Sequence, residues 1–334
     1  MPSTILDVAA LCGYSKATVT RAFAEPHLVK ESTRNKVYEA ARQLNYTPNA
    51  VAQAMQRMRT DNIAFILYEE QSPVILNPFY APIVDAVLQT CHDLGLSVII
   101  SSSADTRLPN GEIYIKKQVD GAILAGQVNS ELVEYFHNQK KPVVLLNNIT
   151  RKEDRVCLAV ADYRGALEAV QHLIDKGHRR IALVQGDFSS HVMEGRRQGY
   201  LDALRNNDLP LNEADIFCIP ADYGHAISCL ETILDERQPE FYPSAFFCTN
   251  DEIAVGIIKG LFRRGHKVPE EFGVVGFDDS ILATTIEPEL TTVSVDKRYM
   301  GSESVRLLHQ LMQGEELAPG IHRVGAHLVV RGST

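Results

Sequence analysis

Thr4-Ile-Leu-Asp7-Val-Ala9-Ala-Leu-Cys-Gly13-Tyr-Ser15-Lys-Ala-Thr-Val19-Thr-Arg21 stands at the head of this chain, and its spacing decides the fold of the first domain. Thr4, with Asp7 three residues on, is a capping box that starts a helix at Ile5 and carries it to about Leu11. Gly13 breaks that helix, and Ser15 caps a second one running from Lys16 to Phe23. Ala9, Gly13 and Val19 stand at the intervals that a helix-turn-helix requires. The small residue lets two helices approach, the glycine takes the left-handed turn, and the valine locks the second helix to the first. Downstream, Glu31 to Leu44 repeats apolar residues at Val37, Ala40, Ala41 and Leu44, giving one face that closes a three-helix core.

The charge distribution agrees with a nucleic-acid-binding head. The 334 residues carry a net charge of -9, but residues 1–60 hold eight Lys/Arg against four Asp/Glu, or +4, which leaves -13 for the remainder. A small basic head on an acidic body suits a DNA-binding module joined to a part that does not itself bind DNA. In such a module the second helix enters the major groove by its N-terminal residues, here Lys16, Ala17 and Thr18, with Arg21 one turn later. Lys and Arg donate to guanine acceptors, and Ala17 offers apolar contact such as a thymine methyl. The competing reading is an amphipathic hairpin whose basic residues only face water.

After Thr60-Asp61-Asn62 the pattern turns to short apolar runs alternating with helical stretches. Strands are predicted at 63–67, 97–101, 121–124, 143–146, 158–161, 181–184, 245–248 and 274–277, with amphipathic segments such as 84–94, 166–176 and 253–264 between them. This alternation predicts parallel sheets covered on both faces, and the length requires two doubly wound lobes. Ligands then bind beyond the strands' C-terminal ends, in the cleft between lobes. A polar ligand needs donors and acceptors at strand ends, supplied by Asn147, Asn250 and Asp278, with Arg196 as a planar donor fork. Phe79, Tyr80 and Tyr223 offer apolar platforms. The plainer alternatives are that the asparagines satisfy loop backbone, Asp278 caps a turn and Phe79 is core.

The head motif above, with Thr33-Arg34 and Leu44-Asn-Tyr-Thr-Pro-Asn49, resembles the lactose-repressor (LacI/GalR) family of transcription regulators. The resemblance continues through Asn77-Pro-Phe-Tyr80, Val119-Asp-Gly-Ala-Ile-Leu124, Gly177-His-Arg-Arg-Ile-Ala182, Asn250-Asp-Glu-Ile-Ala254, Gly276-Phe-Asp-Asp279 and Leu290-Thr-Thr-Val293. It implies an α/β chain with an all-α helix-turn-helix head (1–48), a hinge helix and linker (49–60), and a two-lobed, doubly wound, periplasmic-binding-protein-like body (61–334) whose lobes cross near 161, 291 and 323. It implies DNA contacts at Thr4, Ser15, Lys16, Ala17, Thr18, Arg21, Asn49 and Met55. Met55 takes the place of the family's usual leucine wedge, an exchange minor-groove binders accept. Lys30 replaces the usual serine cap of the third helix, and Tyr14 stands where a small aliphatic is common. It also implies effector contacts at Phe79, Tyr80, Asn147, Arg196, Tyr223, Asn250 and Asp278. The expected partners are a pseudo-palindromic double-stranded operator, a carbohydrate-like effector and a second copy of the chain.

Other classes fit less well. No His-Glu-x-x-His, Gly-x-x-x-x-Gly-Lys, Gly-x-Gly-x-x-Gly or Gly-x-Ser-x-Gly is present, so neither catalysis, a metal nor a cofactor is expected. Six cysteines stand singly, with no Cys-x-x-Cys pair, as reduced cytoplasmic thiols do. No apolar run suits a membrane helix, and the N-terminus lacks the basic and apolar regions of a signal peptide. A soluble sugar-binding protein and an architectural DNA binder with a vestigial cleft are the alternative functions.

Overall fold

The computed structural model describes residues 3–47, 59–67, 76–106, 115, 118–127, 130–148, 155–186 and 191–334. The chain divides into two units. The first comprises residues 1–62 with 118–120, and the second the remainder.

In the first unit, α1 (Ile5–Cys12), α2 (Lys16–Ala24) and α3 (Glu31–Gln43) enclose Val8, Ala9, Val19, Ala22, Val37, Ala40 and Ala41. The capping box forms in both directions. Thr4 N donates to Asp7 Oδ2 at 2.8 Å, and the Asp7 amide donates to the Thr4 hydroxyl at 3.4 Å. Gly13 ends α1 at φ 73°, a left-handed conformation that glycine adopts without strain. The Ser15 hydroxyl accepts from the Thr18 amide at 3.1 Å. Lys30 precedes α3 without any side-chain cap bond. Lys30→Ser is therefore expected to stabilise the head by about 0.5–1 kcal/mol, read as slower hydrogen exchange in the first turn of α3. Tyr14 packs against the head core rather than standing clear of it.

The second unit alternates strand and helix: β1 (Asn62–Leu67, its first residue belonging to the other unit), α4 (Tyr80–Asp93), β2 (Ser97–Ser102), β3 (Gly121–Ala125), α5 (Ser130–Asn138), β4 (Val143–Leu146) and β5 (Val156–Val160). Then follow α6 (Asp162–Asp175), β6 (Ile181–Gly186), α7 (His191–Asn206), β7 (Ile216–Ile219), α8 (Tyr223–Glu236), β8 (Ala245–Cys248), α9 (Asp251–Arg263) and β9 (Gly273–Asp278). The chain ends with α10 (Leu282–Thr285), β10 (Thr291–Val295), α11 (Lys297–Met312), β11 (Gly320–Val324) and β12 (Ala326–Val329). Two six-stranded sheets result, ordered β11-β5-β4-β3-β1-β2 and β12-β10-β9-β8-β6-β7. Every pairing given is parallel except β10 with the terminal β12.

Four of these strands, β7, β10, β11 and β12, fall outside the predicted stretches, although β7 is itself a short apolar run, Ile216-Phe-Cys-Ile219. β10 reads Thr-Thr-Val-Ser-Val but is buried, and β7 and β11 lie at sheet edges with exposed positions. The chain passes between the sheets at Ala161, Asp296 and Gly325. The second passage is later than the expected 291 because β10 stays paired with β9 from Thr291 to Ser294. Close helix packing then fixes the lobes internally. A methyl at Gly165 of α6 would sit 2.8 Å from Val293 Cγ1, and one at Gly301 of α11 would sit 2.8 Å from Ala86 Cβ of α4.

Candidate functional sites

The N-terminal turn of α2 presents Lys16, Ala17 and Arg21 exposed on one helix, with Thr18 half-buried. Thr4 and Ser15 are also exposed, but both hydroxyls are engaged locally. The Thr4 hydroxyl bonds Asp7 Oδ2 at 2.8 Å, and the Ser15 and Thr18 hydroxyls lie 2.9 Å apart. Their first role is thus to start the two helices, and a phosphate oxygen at Thr18 or Ser15 would compete with the cap. Asn49 and Met55 lie outside the described residues.

In the body, strand ends converge on Arg196. Nε donates to Asp162 Oδ1 at 2.8 Å, Nη2 to Asp278 Oδ1 at 3.2 Å, and Nη1 to the Thr249 carbonyl. Its guanidinium carbon sits 3.6 Å from the centroid of the Phe277 ring, a stacked arrangement open to arginine and not to lysine. The side chain is 3% exposed. Burial works to lower the Arg196 pKa, but Asp278 and Asp162 outweigh it and hold the charge. For both partners burial raises the carboxyl pKa by more than Arg196 lowers it. Charges taken out of water are stable only when paired and hydrogen-bonded in this way.

The other lobe approaches the same cluster. Asn77 Oδ1 accepts from the Phe79 and Tyr80 amides, 3.0 Å each, and so starts α4. Phe79 meets Tyr80 edge to face at 5.1 Å, and both are buried. The Tyr80 hydroxyl hydrogen-bonds the Asn147 side chain and feels Asp278, Arg196 and Asp162. Burial is the main reason its pKa rises. Asn147 follows β4 at φ 52°, its amide donating to the Leu158 carbonyl at 2.7 Å, and its buried Oδ1 has no hydrogen-bond partner.

Four of the seven residues picked from sequence, Tyr80, Asn147, Arg196 and Asp278, therefore stand together, with Phe79 behind Tyr80. Asn250, directly after the Thr249 carbonyl that Arg196 holds, caps α9: its Oδ1 accepts from the Ile253 amide at 2.8 Å, so only its N–H donors remain for another partner. Tyr223 is half-exposed at the start of α8 under Lys259, whose Nζ is 5.3 Å from the ring centroid. It lines a cavity of about 880 Å³ that also takes in Asn77, Pro82, Asp279, Ser280 and Lys297. Sequence reasoning missed Asp162, which follows β5 as Asp278 ends β9. An acid at a parallel strand's C-terminal end was the available signal. It also missed Lys297 and Asp251, which support the loop after β9.

Comparison with known proteins adds to this geometry. Residues 4–49 match the family model described as bacterial regulatory proteins, lacI family, and residues 170–334 match a periplasmic binding protein-like domain. Catabolite control protein A of Priestia megaterium is 33% identical over 339 residues, covering 100% of both chains. The lac repressor dimer bound to operator and the anti-inducer ONPF is 25% identical, with a TM-score of 0.84 over 100% of this chain and 99% of that one. A complex of the transcriptional regulator CelR with cellobiose is 27% identical, with a TM-score of 0.73 over 99% of this chain and 100% of that one. The named relatives are transcriptional regulators rather than enzymes. Among the described residues no helix is long and apolar enough to cross a membrane.

Proposed function

We propose, from the premise that this chain belongs to the LacI family of bacterial regulatory proteins and is a DNA-binding transcription regulator, that two copies read a pseudo-palindromic operator and that a neutral, polyhydroxylated ligand held between the lobes sets their affinity for it. The chain divides into a head (1–48), a hinge (49–60) and a body (61–334), and acts in the cytoplasm as a repressor without catalytic chemistry. One head makes few contacts, so a pair on one body supplies both affinity and half-site spacing. Ligand binding alters the angle between the lobes, and with it the spacing of the two hinges, so that occupancy and DNA affinity change together.

The observation that carries the ligand class is the charge balance at Arg196. Its guanidinium already faces two carboxylates, Asp162 and Asp278, so it has no spare positive charge for a phosphate. What is left over is acceptor capacity: the second oxygens of the carboxylates and the unpartnered Asn147 Oδ1. Sugar hydroxyls supply the matching donors, and the bound cellobiose named for the CelR complex is a ligand of this class. A thermal-shift panel of neutral sugars, sugar acids and sugar phosphates tests this. At 100 times its dissociation constant a ligand adds about 2.7 kcal/mol to the folded state. Shifts are expected among neutral sugars, and shifts confined to sugar phosphates would contradict the charge argument.

The DNA reading is tested by selecting duplexes from a random pool with the full-length protein. A two-fold-symmetric motif is expected. Lys16→Ala is expected to cost about 1–3 kcal/mol per head and to lose preference at one base pair of each half-site. No enriched motif, or unchanged preference at every position in Lys16→Ala, would contradict base contact by this residue.

A further inference from the structure

A lysine ammonium carries three donors and no acceptor, so its partners reveal what it holds. Lys297 opens α11, the helix that takes the chain from the second sheet back to the first. Its Nζ donates to three backbone carbonyls: Asp278, Asp279 at 3.1 Å and Val295 at 3.3 Å. All three belong to the second lobe. The rest of α11 belongs to the first. Arg298 pairs with Asp85 of α4 at 2.9 Å, and Gly301 brings the two helices into backbone contact. The first residue of α4 is Tyr80, which reaches the Arg196 cluster.

The dipeptide that Lys297 grips is itself unusual. Asp278 and Asp279 have φ of 106° and 50°, positive values that residues with side chains rarely adopt. Such conformations persist only where surroundings over-determine them. Here Arg196 holds the Asp278 carboxylate at 3.2 Å, Arg331 holds the Asp279 carboxylate at 2.7 Å, and Asp251 accepts from the Ser280 amide at 2.6 Å. Thr292 Oγ1 accepts from the Asp279 amide at 3.4 Å. The fixed points lie at either end of the peptide, and Lys297 grips its carbonyls between them.

We propose that Lys297 is the positioning residue that links the state of Asp278 to the arrangement of the first lobe, an inference that rests on the cleft reading above. A ligand that draws the Asp278 carboxylate from Arg196 removes one of the supports that keep residues 278 and 279 at positive φ. When that backbone relaxes, its carbonyls turn from the ammonium, and the N-terminus of α11 is released from the second lobe. Because α11 and α4 are in backbone contact, the change reaches Tyr80, on the opposite side of the same cluster. The cleft is thereby sensed from both lobes through one side chain that need not touch the ligand.

Hydrogen–deuterium exchange on the full-length protein, without ligand or DNA, tests this directly, so its outcome is independent of whether the proposed ligand class or operator is right. Lys297→Met keeps the length of the side chain and removes its donors, whereas Lys297→Arg keeps donors for the carbonyls. In Lys297→Met, exchange is expected to quicken roughly tenfold or more at residues 278–280, in the first two turns of α11 and in the first turn of α4. Strands β8 and β9 up to Phe277 are expected to be unchanged, and Lys297→Arg to restore most of the protection. Faster exchange confined to 278–280 and the first turn of α11, with α4 as in the unaltered protein, would overturn the proposal. So would equal exchange in Lys297→Met and Lys297→Arg.

Discussion

Arg196→Ala is expected to destabilise the body by about 3–5 kcal/mol, the usual cost of removing one partner of a buried ionic cluster. Two carboxylates, Asp162 and Asp278, would be left without the guanidinium that now donates to both. The Thr249 carbonyl would lose its donor, and the face of Phe277 would lose the group stacked on it. Burial already pushes both carboxyl groups upward while Arg196 opposes it. Without Arg196 that opposition is gone and both groups take up protons more readily. The loss is therefore expected to be largest at alkaline pH and to shrink as the pH falls. Urea unfolding followed by circular dichroism measures it, since the chain has no tryptophan to report by fluorescence. Adding Asp162→Asn and Asp278→Asn to Arg196→Ala is expected to recover part of the stability, because it removes the unpaired charges. A triple variant no more stable than Arg196→Ala would mean that the guanidinium acts mainly through packing.

The second large effect is a pH dependence centred on Asp251. This side chain is 1% exposed, and its pKa is raised from 3.8 to about 7, chiefly by burial and then by the nearby Asp278 charge. Bonds from Thr292 and Ser280 pull it back only in part. A carboxyl whose folded-state pKa lies above its unfolded value binds its proton more tightly when folded. Its stabilising contribution is then complete below pH 3.8 and is lost as the pH rises through about 7. At about 1.4 kcal/mol per pKa unit, the whole swing is on the order of 4 kcal/mol. His172 and His178 work the other way. Burial lowers their pKa values, so their contribution is lost as the pH falls. Asp251→Asn isolates the carboxyl from these groups. Between pH 5 and pH 8 the unaltered protein is expected to lose stability that Asp251→Asn retains, with the difference between the two growing across that window. Parallel profiles would show that Asp251 is ionised throughout. Because Asp251 accepts from the Ser280 amide, the same titration bears on the loop that Lys297 grips.

The head was legible because its signals are local. A capping box, a left-handed glycine and a serine cap each act within four residues, and each forms as the spacing predicts. The central strands were legible for a similar reason, since burial on both faces writes a continuous apolar run such as Ile63-Ala-Phe-Ile-Leu67. β10 was not, because its Thr-Thr-Val-Ser-Val is polar by composition, and burial of its threonines depends on partners far along the chain. The Thr291 hydroxyl, for example, accepts from the Arg331 amide and the Thr292 hydroxyl donates to Asp251. The cluster around Arg196 was read in part. Residues at strand ends were found by type, but the partners that fix them are 34 positions away at Asp162 and 82 at Asp278, a distance over which no periodicity carries. At Asn250 the sequence reading left out a second use of the side chain. Its place at a strand end suggested a ligand, yet the helix that follows needs that oxygen for its first turn.

In the proposed function, occupation of the cleft controls affinity for DNA. The direct measurement is fluorescence anisotropy of a labelled duplex carrying the selected motif, titrated with the full-length protein with and without a saturating amount of the sugar that raises its melting temperature. A coupling of about 1–3 kcal/mol, or 5- to 150-fold in affinity, is predicted. Asp278→Ala is expected to abolish that change. Identical titration curves for the unaltered protein at saturating sugar would contradict the claim.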